Sequence, residues 1–353
     1  YAIPNEYDKL MVSIGAEGTN AYTSLEQTVY VENIPSNQLE NWAFIQADRF
    51  ANPVLRGFHT ELETIYEEKN MTMTSDSRKV FTALLEGVFP THEYGTQTTI
   101  GTQDHIKNPS MKNIRQFHAN YYVPNNMAIA LSGDFNPDEA IKVIDKYFGS
   151  MKPGNVPAFT PAVEKPITSP VEKTVLGPDA ANIMIGFRFP GAGTDDALKL
   201  ELLDMILSNS AAGMIDLNLT KKQKTLKAGS GCYILKDYSV QLLYGTPKEG
   251  QTLQEVRDLL LGQIDAIKKG EFDEWLLPAI INDLKLKQVK AFEDNGSRAD
   301  AFVDAFILGQ SWDKYISKLD RMAKFTKQDI VDFANANFKD NYVIVYKETG
   351  KDE

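Results

Sequence analysis

The stretch IVDFANANFKDNYVIVY, residues 330–346, carries the pattern that decides the fold. Its first part spaces apolar side chains at helical intervals, and its last part is an unbroken run of β-branched and aromatic residues. A short turn containing Asn341 separates the two parts. The pattern therefore predicts an amphipathic helix, a turn and a strand.

A second copy of this pattern occurs near the middle of the chain. Ile114, Phe117 and Tyr122 have the helical spacing, and Asn126 and the apolar segment 127–131 follow. Because the same order closes both halves, we infer that the halves arose by duplication. The predicted fold class is α+β, with two homologous domains that each consist of an antiparallel sheet with helices packed on it.

A proline-rich segment separates the two halves. Prolines favour an extended linker, and residues 153–170 contain five of them: Pro153, Pro157, Pro161, Pro166 and Pro170. We therefore predict a first domain over 1–152, a linker over 153–170 and a second domain over 171–353.

Local patterns predict the individual elements. Apolar runs with glycine between them predict strands at 11–14 and 28–32, and Asn52-Pro53 breaks a helix over 37–70. Ser110 is the predicted cap of the helix that carries Ile114 and Phe117. Further predictions are helices at 75–86, 137–148, 195–208 and 213–222, five helices between 251 and 337, and strands at 126–131, 171–176, 181–189, 228–236, 239–245 and 342–346.

Composition and charge exclude several classes of function. The 353 residues include 37 Lys and Arg against 48 Asp and Glu, which gives a net charge of −11 and a pI near 5.0. General nucleic-acid binding needs a basic surface, so we expect no nucleic-acid partner. Apolar runs are only a few residues long, so we expect no membrane span.

Cysteine and histidine usage limits the metal chemistry. Cys232 is the single cysteine, which excludes an internal disulfide and a cysteine-rich zinc site. The histidines, His59, His92, His105 and His118, show none of the usual ligand spacings. The sequence therefore contains no complete metal site.

The acid-rich segment ELETIYEE, residues 61–68, is the first candidate site. Glu61 and Glu68 are two helical turns apart on one face, which Glu61 also shares with Ile65. Carboxylates beside an apolar residue face the interior, where each needs a cation, a metal or a hydrogen-bond partner. The alternative is a solvated acidic surface paired with Arg56 or other neighbouring cations.

The glycine-rich segment GAEGTNAYT, residues 15–23, is the second candidate site. Its glycines allow close backbone approach, and the residues after Gly18 have strand character. The functional interpretation is an edge strand that captures an extended peptide by main-chain pairing. The alternative is an ordinary hairpin with a glycine turn. The spacing G-x-x-G without a following helix excludes a dinucleotide fingerprint.

The two candidate sites follow one another in the order of a known family. The chain resembles the inverzincins, the zinc endopeptidases that include pitrilysin, insulin-degrading enzyme, presequence protease and the mitochondrial processing peptidase. The first matching motifs are Gly18-x-Asn20-Ala21-x-Thr23, Thr28-x-Tyr30 and Glu61-x6-Glu68-x-Asn70. Later matching segments are 92–95, 99–101, 117–127, 133–134, 147–149, 186–190, 203–207 and 243–245. The similarity covers essentially the whole chain.

The resemblance implies roles for residues of both candidate sites. The family binds Zn2+ through two histidines of an H-x-x-E-H helix and a glutamate further along the chain. By position, Glu68 matches that metal ligand, and Glu61 matches the active-site acid that orients a zinc-binding histidine. The implied substrate-binding residues are Gly18, Asn20, Ala21 and Thr23.

The H-x-x-E-H motif itself is absent from this sequence, and in the family it lies before the Gly-x-Asn-Ala strand. The first residue is Tyr1 rather than Met, so we expect a longer parent protein and a truncated first peptidase-type domain in this chain. By itself the chain should be inactive, with zinc absent or weakly bound. The expected partners are a peptide substrate and the remaining domains of the parent chain or a homologous subunit.

Two functions stay open at this point. In the first, the parent protein is a zinc metalloendopeptidase that hydrolyses peptides or unfolded polypeptides. In the second, it is a noncatalytic homologue that serves as a peptide-binding or scaffolding subunit. Retention of both Glu61 and Glu68 favours the first, because nothing structural requires that pair. The compartment is open, with the bacterial periplasm or cell envelope favoured over the cytoplasm.

Overall fold

The computed structural model describes residues 5–55 and 57–350. The helices are α1 (Glu6–Ser13), α2 (Leu39–Ala51), α3 (Phe58–Met73), α4 (Asp76–Val88), α5 (Glu93–Thr96), α6 (Gln103–Lys107), α7 (Met111–Tyr121), α8 (Pro137–Phe148), α9 (Asp195–Leu207), α10 (Leu253–Lys268), α11 (Leu276–Ala291), α12 (Asn295–Ile307), α13 (Trp312–Ile316), α14 (Lys318–Met322) and α15 (Lys327–Asn337). The strands are β1 (Glu17–Thr23), β2 (Thr28–Asn33), β3 (Val171–Gly177), β4 (Asn182–Pro190), β5 (Lys227–Ile234), β6 (Tyr238–Thr246) and β7 (Tyr342–Thr349). Within these two ranges, each helix lacks the length or the apolar character that a membrane span requires.

Most predicted elements are confirmed, and their ends follow capping chemistry. The side chain of the predicted cap Ser110 accepts a hydrogen bond from the N–H of Asn113. Asn136 caps α8, which begins at Pro137 as predicted. The helix break predicted at Asn52 separates α2 from α3.

Four predicted elements differ from the structure. The helix predicted at 213–222 is a short π-helix over Asp216–Thr220. Segment 11–14 belongs to the end of α1 and the turn after it, because a short apolar run does not distinguish helix from strand. The strand predicted at 126–131 is absent. Asn126 ends a 3-10 turn that begins at Pro124, and no described residue pairs with 127–131 as a strand requires. Six helices rather than five lie between 251 and 337, because the helical conformation is interrupted at Ser317, between α13 and α14.

The chain divides into two compact units. The first unit contains the residues up to Asn70, Thr99–Thr160 and Asn295–Val303, and the second contains Met71–Thr98, Pro161–Asp294 and the residues from Asp304 onward. These units are not the predicted halves, because Met71–Thr98 packs with the sheet formed by later residues. The homology of the halves stays a prediction.

The second unit contains a five-stranded sheet with the order β3-β7-β4-β6-β5. β7 pairs with β3 in parallel, and the other neighbouring strands are antiparallel. The α+β class is confirmed, whereas the prediction of a wholly antiparallel sheet is wrong at the β3–β7 pair. A parallel pair requires a long connection, and nearly all of the second half of the chain lies between these two strands.

Both faces of β7 are covered, which explains its unbroken apolar run. Tyr342, Ile344 and Tyr346 belong to the main core, which α9, α10 and α15 also form. Val343 lies against α4 instead, next to Gly87. A strand that is buried on both faces loses the alternation of apolar and polar residues.

A buried ion pair fixes the start of α4 to the same strand. Nζ of Lys347 lies 2.9 Å from Oδ2 of Asp76, and both side chains are almost fully buried. The ammonium also donates to the carbonyl oxygens of Gly177 and Asp179, and the N–H of Asp179 donates to Asp76. The hydrogen bond from Lys347 holds the pKa of Asp76 below its ordinary value. The ionised pair therefore ties α4 to β7 and to the turn between β3 and β4.

Gly87 allows α4 to approach β7 closely. A Cβ atom at this position would lie 2.6 Å from Cγ1 of the fully buried Val343. Gly262 in α10 offers a matched contrast, because a Cβ atom there would meet nothing within 4 Å. The same substitution at the two glycines therefore separates packing from helix propensity.

We expect Gly87→Ala to lower the free energy of unfolding by about 1–2 kcal/mol, because the added methyl group overpacks the contact between α4 and β7. Gly262→Ala should raise it by about 0.5–1 kcal/mol, the ordinary gain from replacing glycine within a helix. Urea denaturation of both variants and of the wild-type protein measures the difference. Equal effects of the two substitutions would contradict the packing assigned to Gly87.

Candidate functional site

The glycine-rich candidate site lies in the hairpin of β1 and β2 in the first unit. The strands are antiparallel, and Ala21 pairs with Tyr30 in the regular part. The register shifts nearer the start of β1, where Gly18 and Thr19 together lie opposite the single residue Glu32. Gly18 has a φ of 65°, a left-handed conformation that glycine adopts without strain. This arrangement is a β-bulge, which bends the strand.

The second edge of β1 is open. All residues of β1 are exposed, and within 5–55 and 57–350 the only strand that pairs with it is β2. In an antiparallel pair, half of the backbone groups point away from the partner, and on an edge strand they are free for an added strand. β1 therefore has the geometry of the edge strand that the sequence predicts.

The four predicted substrate-binding residues, Gly18, Asn20, Ala21 and Thr23, all lie in β1. Oδ1 of Asn20 accepts a 2.8 Å hydrogen bond from the N–H of Ala21. Oγ1 of Thr23 lies 3.3 Å from Oγ1 of Thr28 on the neighbouring strand. The structure brings the four residues together, and their contact with a peptide stays a prediction.

α3 carries the acid-rich candidate site, with the carboxylates Glu61 and Glu68. Both side chains are exposed, and α3 buries none of its residues. The expectation that the two acids face the protein interior is therefore wrong. Neither carboxylate forms a hydrogen bond or an ion pair within the part of the chain that the structure describes, and Arg56, considered above as a partner, lies outside that part. Their roles toward zinc stay predictions.

The residues of this chain do not fit a complete zinc site. A catalytic zinc needs three protein ligands, and in 5–55 and 57–350 no three His, Cys, Asp or Glu side chains are placed to share a metal ion. His92, for example, is fully buried, and its Nε2 lies 3.3 Å from Oδ2 of Asp237. Glu68 can therefore supply only one of the ligands.

A cluster of side chains holds the end of β2, and we call Tyr7, Glu32, Trp42, Gln46 and Arg49 the Glu32 cluster. Oη of Tyr7 and Nε2 of Gln46 donate to Oε1 of Glu32 over 2.6 and 3.0 Å. Nε1 of Trp42 donates to Oε2 over 3.4 Å, and Nη1 of Arg49 lies 4.0 Å from Oε1. The Glu32 side chain is only 6% exposed, so these groups compensate its charge in place of water.

Aromatic rings extend the Glu32 cluster. The guanidinium carbon of Arg49 lies 3.9 Å from the ring centre of Tyr7 and 4.6 Å from that of Tyr30, both within cation–π range. Oη of Tyr30 lies 3.2 Å from Oη of Tyr122. Burial, together with the hydrogen bond to Glu32, raises the pKa of Tyr7 far above its ordinary value. Its hydroxyl therefore stays a donor to the carboxylate.

Sequence reasoning did not identify the Glu32 cluster, although part of it has a readable signal. Trp42, Gln46 and Arg49 are spaced i, i+4 and i+7, so they share one face of α2. An acid at the end of a half-buried strand, followed by such a polar stripe, indicates a buried network. The contact between Tyr7 and Glu32 spans 25 residues and has no local pattern.

A different polar group anchors the predicted linker to the second unit. Oε1 of Glu164 accepts hydrogen bonds of 2.8 and 2.7 Å from the N–H groups of Thr91 and His92. Nη1 of Arg188 lies 3.6 Å from Oε2 of Glu164, and Arg188 also donates to the carbonyl oxygen of Lys165. These contacts fix the end of the linker near Glu164 to the second unit, and we assign the groups a structural role.

Comparisons with known proteins relate this chain to one family of peptidases. The sequence profile described as Peptidase M16 inactive domain matches residues 110–284. The zinc protease PqqE of Helicobacter pylori is 24% identical over 344 residues, which cover 95% of this chain and 77% of that protein. The structure of a protease from Helicobacter pylori superposes with a TM-score of 0.88 at 23% identity, covering 97% of this chain and 84% of that chain. The first half of the periplasmic protease PqqL from Escherichia coli superposes with a TM-score of 0.77 at 15% identity, covering 97% of this chain and 78% of that chain.

We expect the chain by itself to bind no stoichiometric zinc and to hydrolyse no peptides, because it supplies fewer than three ligands. Elemental analysis of the dialysed protein measures bound zinc, and a quenched fluorescent peptide measures hydrolysis. One tightly held zinc ion per chain, together with cleavage that a chelator abolishes, would show that this expectation is wrong.

Proposed function

Because this chain belongs to the pitrilysin-type M16 peptidase family, we propose that it is the peptide-binding part of a zinc-dependent endopeptidase that hydrolyses peptides or unfolded polypeptides. In this proposal the substrate lies in extended conformation along the open edge of β1. The exposed edge, unpaired by any described strand, is the observation that carries the proposal.

Main-chain pairing with β1 selects substrates by conformation. An edge strand exchanges backbone hydrogen bonds with any extended segment, whereas a folded protein has few free strand edges to offer. Side chains of the added strand alternate between the two faces of the sheet, so the pairing itself tolerates varied sequences. Peptides and unfolded chains are therefore the expected ligands.

The residues of β1 suit this use. Gly18, Ala21 and Thr23 are small and leave the edge accessible to an approaching backbone. Asn20 adds a carboxamide, which now accepts the N–H of Ala21 and has further hydrogen-bonding capacity. These four residues are the substrate-binding residues of the proposal.

The proposal assigns zinc to groups of which this chain supplies only a part. Glu68 is an exposed carboxylate available as one ligand, and Glu61 lies two turns earlier on α3, where it can orient a ligand by a hydrogen bond. The histidines of the family's H-x-x-E-H motif would have to come from outside the described residues. The remaining domains of a longer chain or a homologous subunit are the proposed source.

A noncatalytic peptide-binding or scaffolding subunit is the second candidate function. The profile that matches residues 110–284 is described as an inactive domain, and the part of the chain seen in the structure lacks a group of metal ligands. Such a subunit would use the same open edge without hydrolysis. The pair Glu61 and Glu68 favours the enzyme, because exposed acids without a side-chain partner among the described residues contribute no packing that the fold requires.

The Escherichia coli relative supports two further parts of the proposal. That structure is the first half of a protease, so a unit of this fold occurs there with a second half. That protease is also periplasmic. We accordingly propose a bacterial periplasmic or envelope location and a completing partner for this chain.

We expect the purified chain to bind a labelled, unstructured peptide of alternating valine and serine. The same peptide with alternate backbone nitrogens methylated should bind at least about tenfold more weakly, because methylation removes main-chain donors and keeps the side chains. Fluorescence anisotropy measures both dissociation constants. Equal affinity for the two peptides would contradict pairing at a strand edge.

In the assembled, zinc-loaded peptidase, Glu68→Gln should remove zinc and nearly all activity, because a neutral amide is a poorer ligand and unbalances the charge of the site. Glu61→Gln should lower metal affinity or activity roughly 10–100-fold. Glu63→Gln changes an exposed acid of the same helix and should behave like the wild type.

Zinc content and peptidase rate are measured on the same three variants. A Glu68→Gln protein that keeps its zinc and its rate would refute the site assignment. A wild-type assembly that binds peptide but holds no zinc would favour the noncatalytic subunit.

A further inference from the structure

We infer that Glu32 positions the peptide-binding edge of β1. The inference rests on the proposed function, and it gives Glu32 a positioning role rather than a contact with substrate. Its backbone lies opposite the bulge of β1, and its side chain is the centre of the Glu32 cluster. One residue therefore connects the course of the open edge to the interior of the first unit.

The bulge sets the direction of the open edge. Gly18 and Thr19 occupy the space of one residue opposite Glu32, and Gly18 has a φ of 65°. A bulge bends its strand and increases the local twist. The direction of the segment from Asn20 to Thr23 therefore depends on the position of Glu32, which its side-chain contacts fix.

The side chain of Glu32 joins β2 to two helices. Tyr7 belongs to α1, whereas Trp42, Gln46 and Arg49 belong to α2. Their hydrogen bonds and the ion pair converge on the two carboxylate oxygens. Because hydrogen bonds to a charged group are stronger than neutral ones, this carboxylate is the strongest polar connection seen at the end of the hairpin.

The cluster is built for an anion and not for a neutral side chain. Nε2 of Gln46 donates both to Glu32 and to the hydroxyl of Tyr7. The hydroxyl, indole, carboxamide and guanidinium groups that face the Glu32 carboxylate all present N–H or O–H donors to it. A glutamine in place of Glu32 would retain one acceptor oxygen and add two N–H donors facing these groups. The isosteric change therefore loosens the cluster without creating a cavity.

The test compares Glu32→Gln with Glu40→Gln. Glu40 is an exposed acid of α2 that accepts hydrogen bonds from Lys146 and Tyr147, so it undergoes the same chemical change outside the cluster. Glu32→Gln should speed hydrogen exchange of the β1 backbone N–H groups and weaken binding of the valine–serine peptide roughly tenfold. Glu40→Gln should change neither quantity.

Two further variants separate positioning from general stability. Gly87→Ala destabilises the second unit without touching the cluster, so well below its unfolding temperature it should keep wild-type exchange in β1 and wild-type peptide affinity. Tyr7→Phe removes a single donor from the cluster and keeps the ring. Tyr7→Phe should raise the hydrogen-exchange rate of β1 and weaken peptide binding, each by a smaller factor than Glu32→Gln does. If Glu32→Gln does not fold, Tyr7→Phe takes its place in the test.

Faster exchange in β1 together with weaker peptide binding, in the cluster variants only, supports the inference. Unchanged exchange and affinity in Glu32→Gln and Tyr7→Phe overturn it while leaving the proposed function in place. Failure of the wild-type protein to bind the peptide overturns the proposed function and the inference together. That outcome is visible before any variant is examined.

Discussion

The second unit depends on the buried ion pair between Asp76 and Lys347. Charges removed from water need hydrogen-bonding partners in place of it. Here the carbonyl oxygens of Gly177 and Asp179 complete the shell of the ammonium, and Oδ2 of Asp76 accepts from the N–H of Asp179, whereas Oδ1 of Asp76 has no hydrogen-bond partner among the described residues. The pair holds the pKa of Asp76 below its ordinary value. Its contribution to stability is therefore full above the pKa of aspartate in the unfolded chain, about 4, and is lost as the pH falls through the depressed value.

The same pair lies at the contact between α4 and the sheet. It brings α4 onto the face of the sheet opposite α9, α10 and α15. Glycines then permit close contact: Gly87 of α4 lies against Val343, and Gly186 of β4 lies against Leu84. With both faces covered, the run from Tyr342 to Tyr346 in β7 is apolar throughout. A helix from the first half of the chain thus packs on the sheet formed by the second half.

The first unit is organised around another buried acid, Glu32. In the proposed function the edge of β1 stays open for a peptide, and such a strand lacks one of the two neighbours that hold a central strand in place. In this chain the missing restraint is supplied from the other side, by the helices that bind the Glu32 carboxylate. A rigid attachment behind an accessible edge reduces the ordering that a peptide must impose when it binds. The polar cluster and the proposed function are thus two aspects of one hairpin.

Local patterns in the sequence were sufficient for most helices and strands, for the edge strand at Gly18 to Thr23 and for the family. Caps such as Ser110, proline breaks and apolar periodicity act within a few residues, so they can be read directly. Tertiary structure alone decided that α4 packs on the sheet formed by later residues, that the predicted strand 126–131 has no described strand beside it, and that Glu61 and Glu68 face solvent. Each of these outcomes depends on contacts between residues far apart in the chain, and no short-range pattern encodes which distant partner will be present.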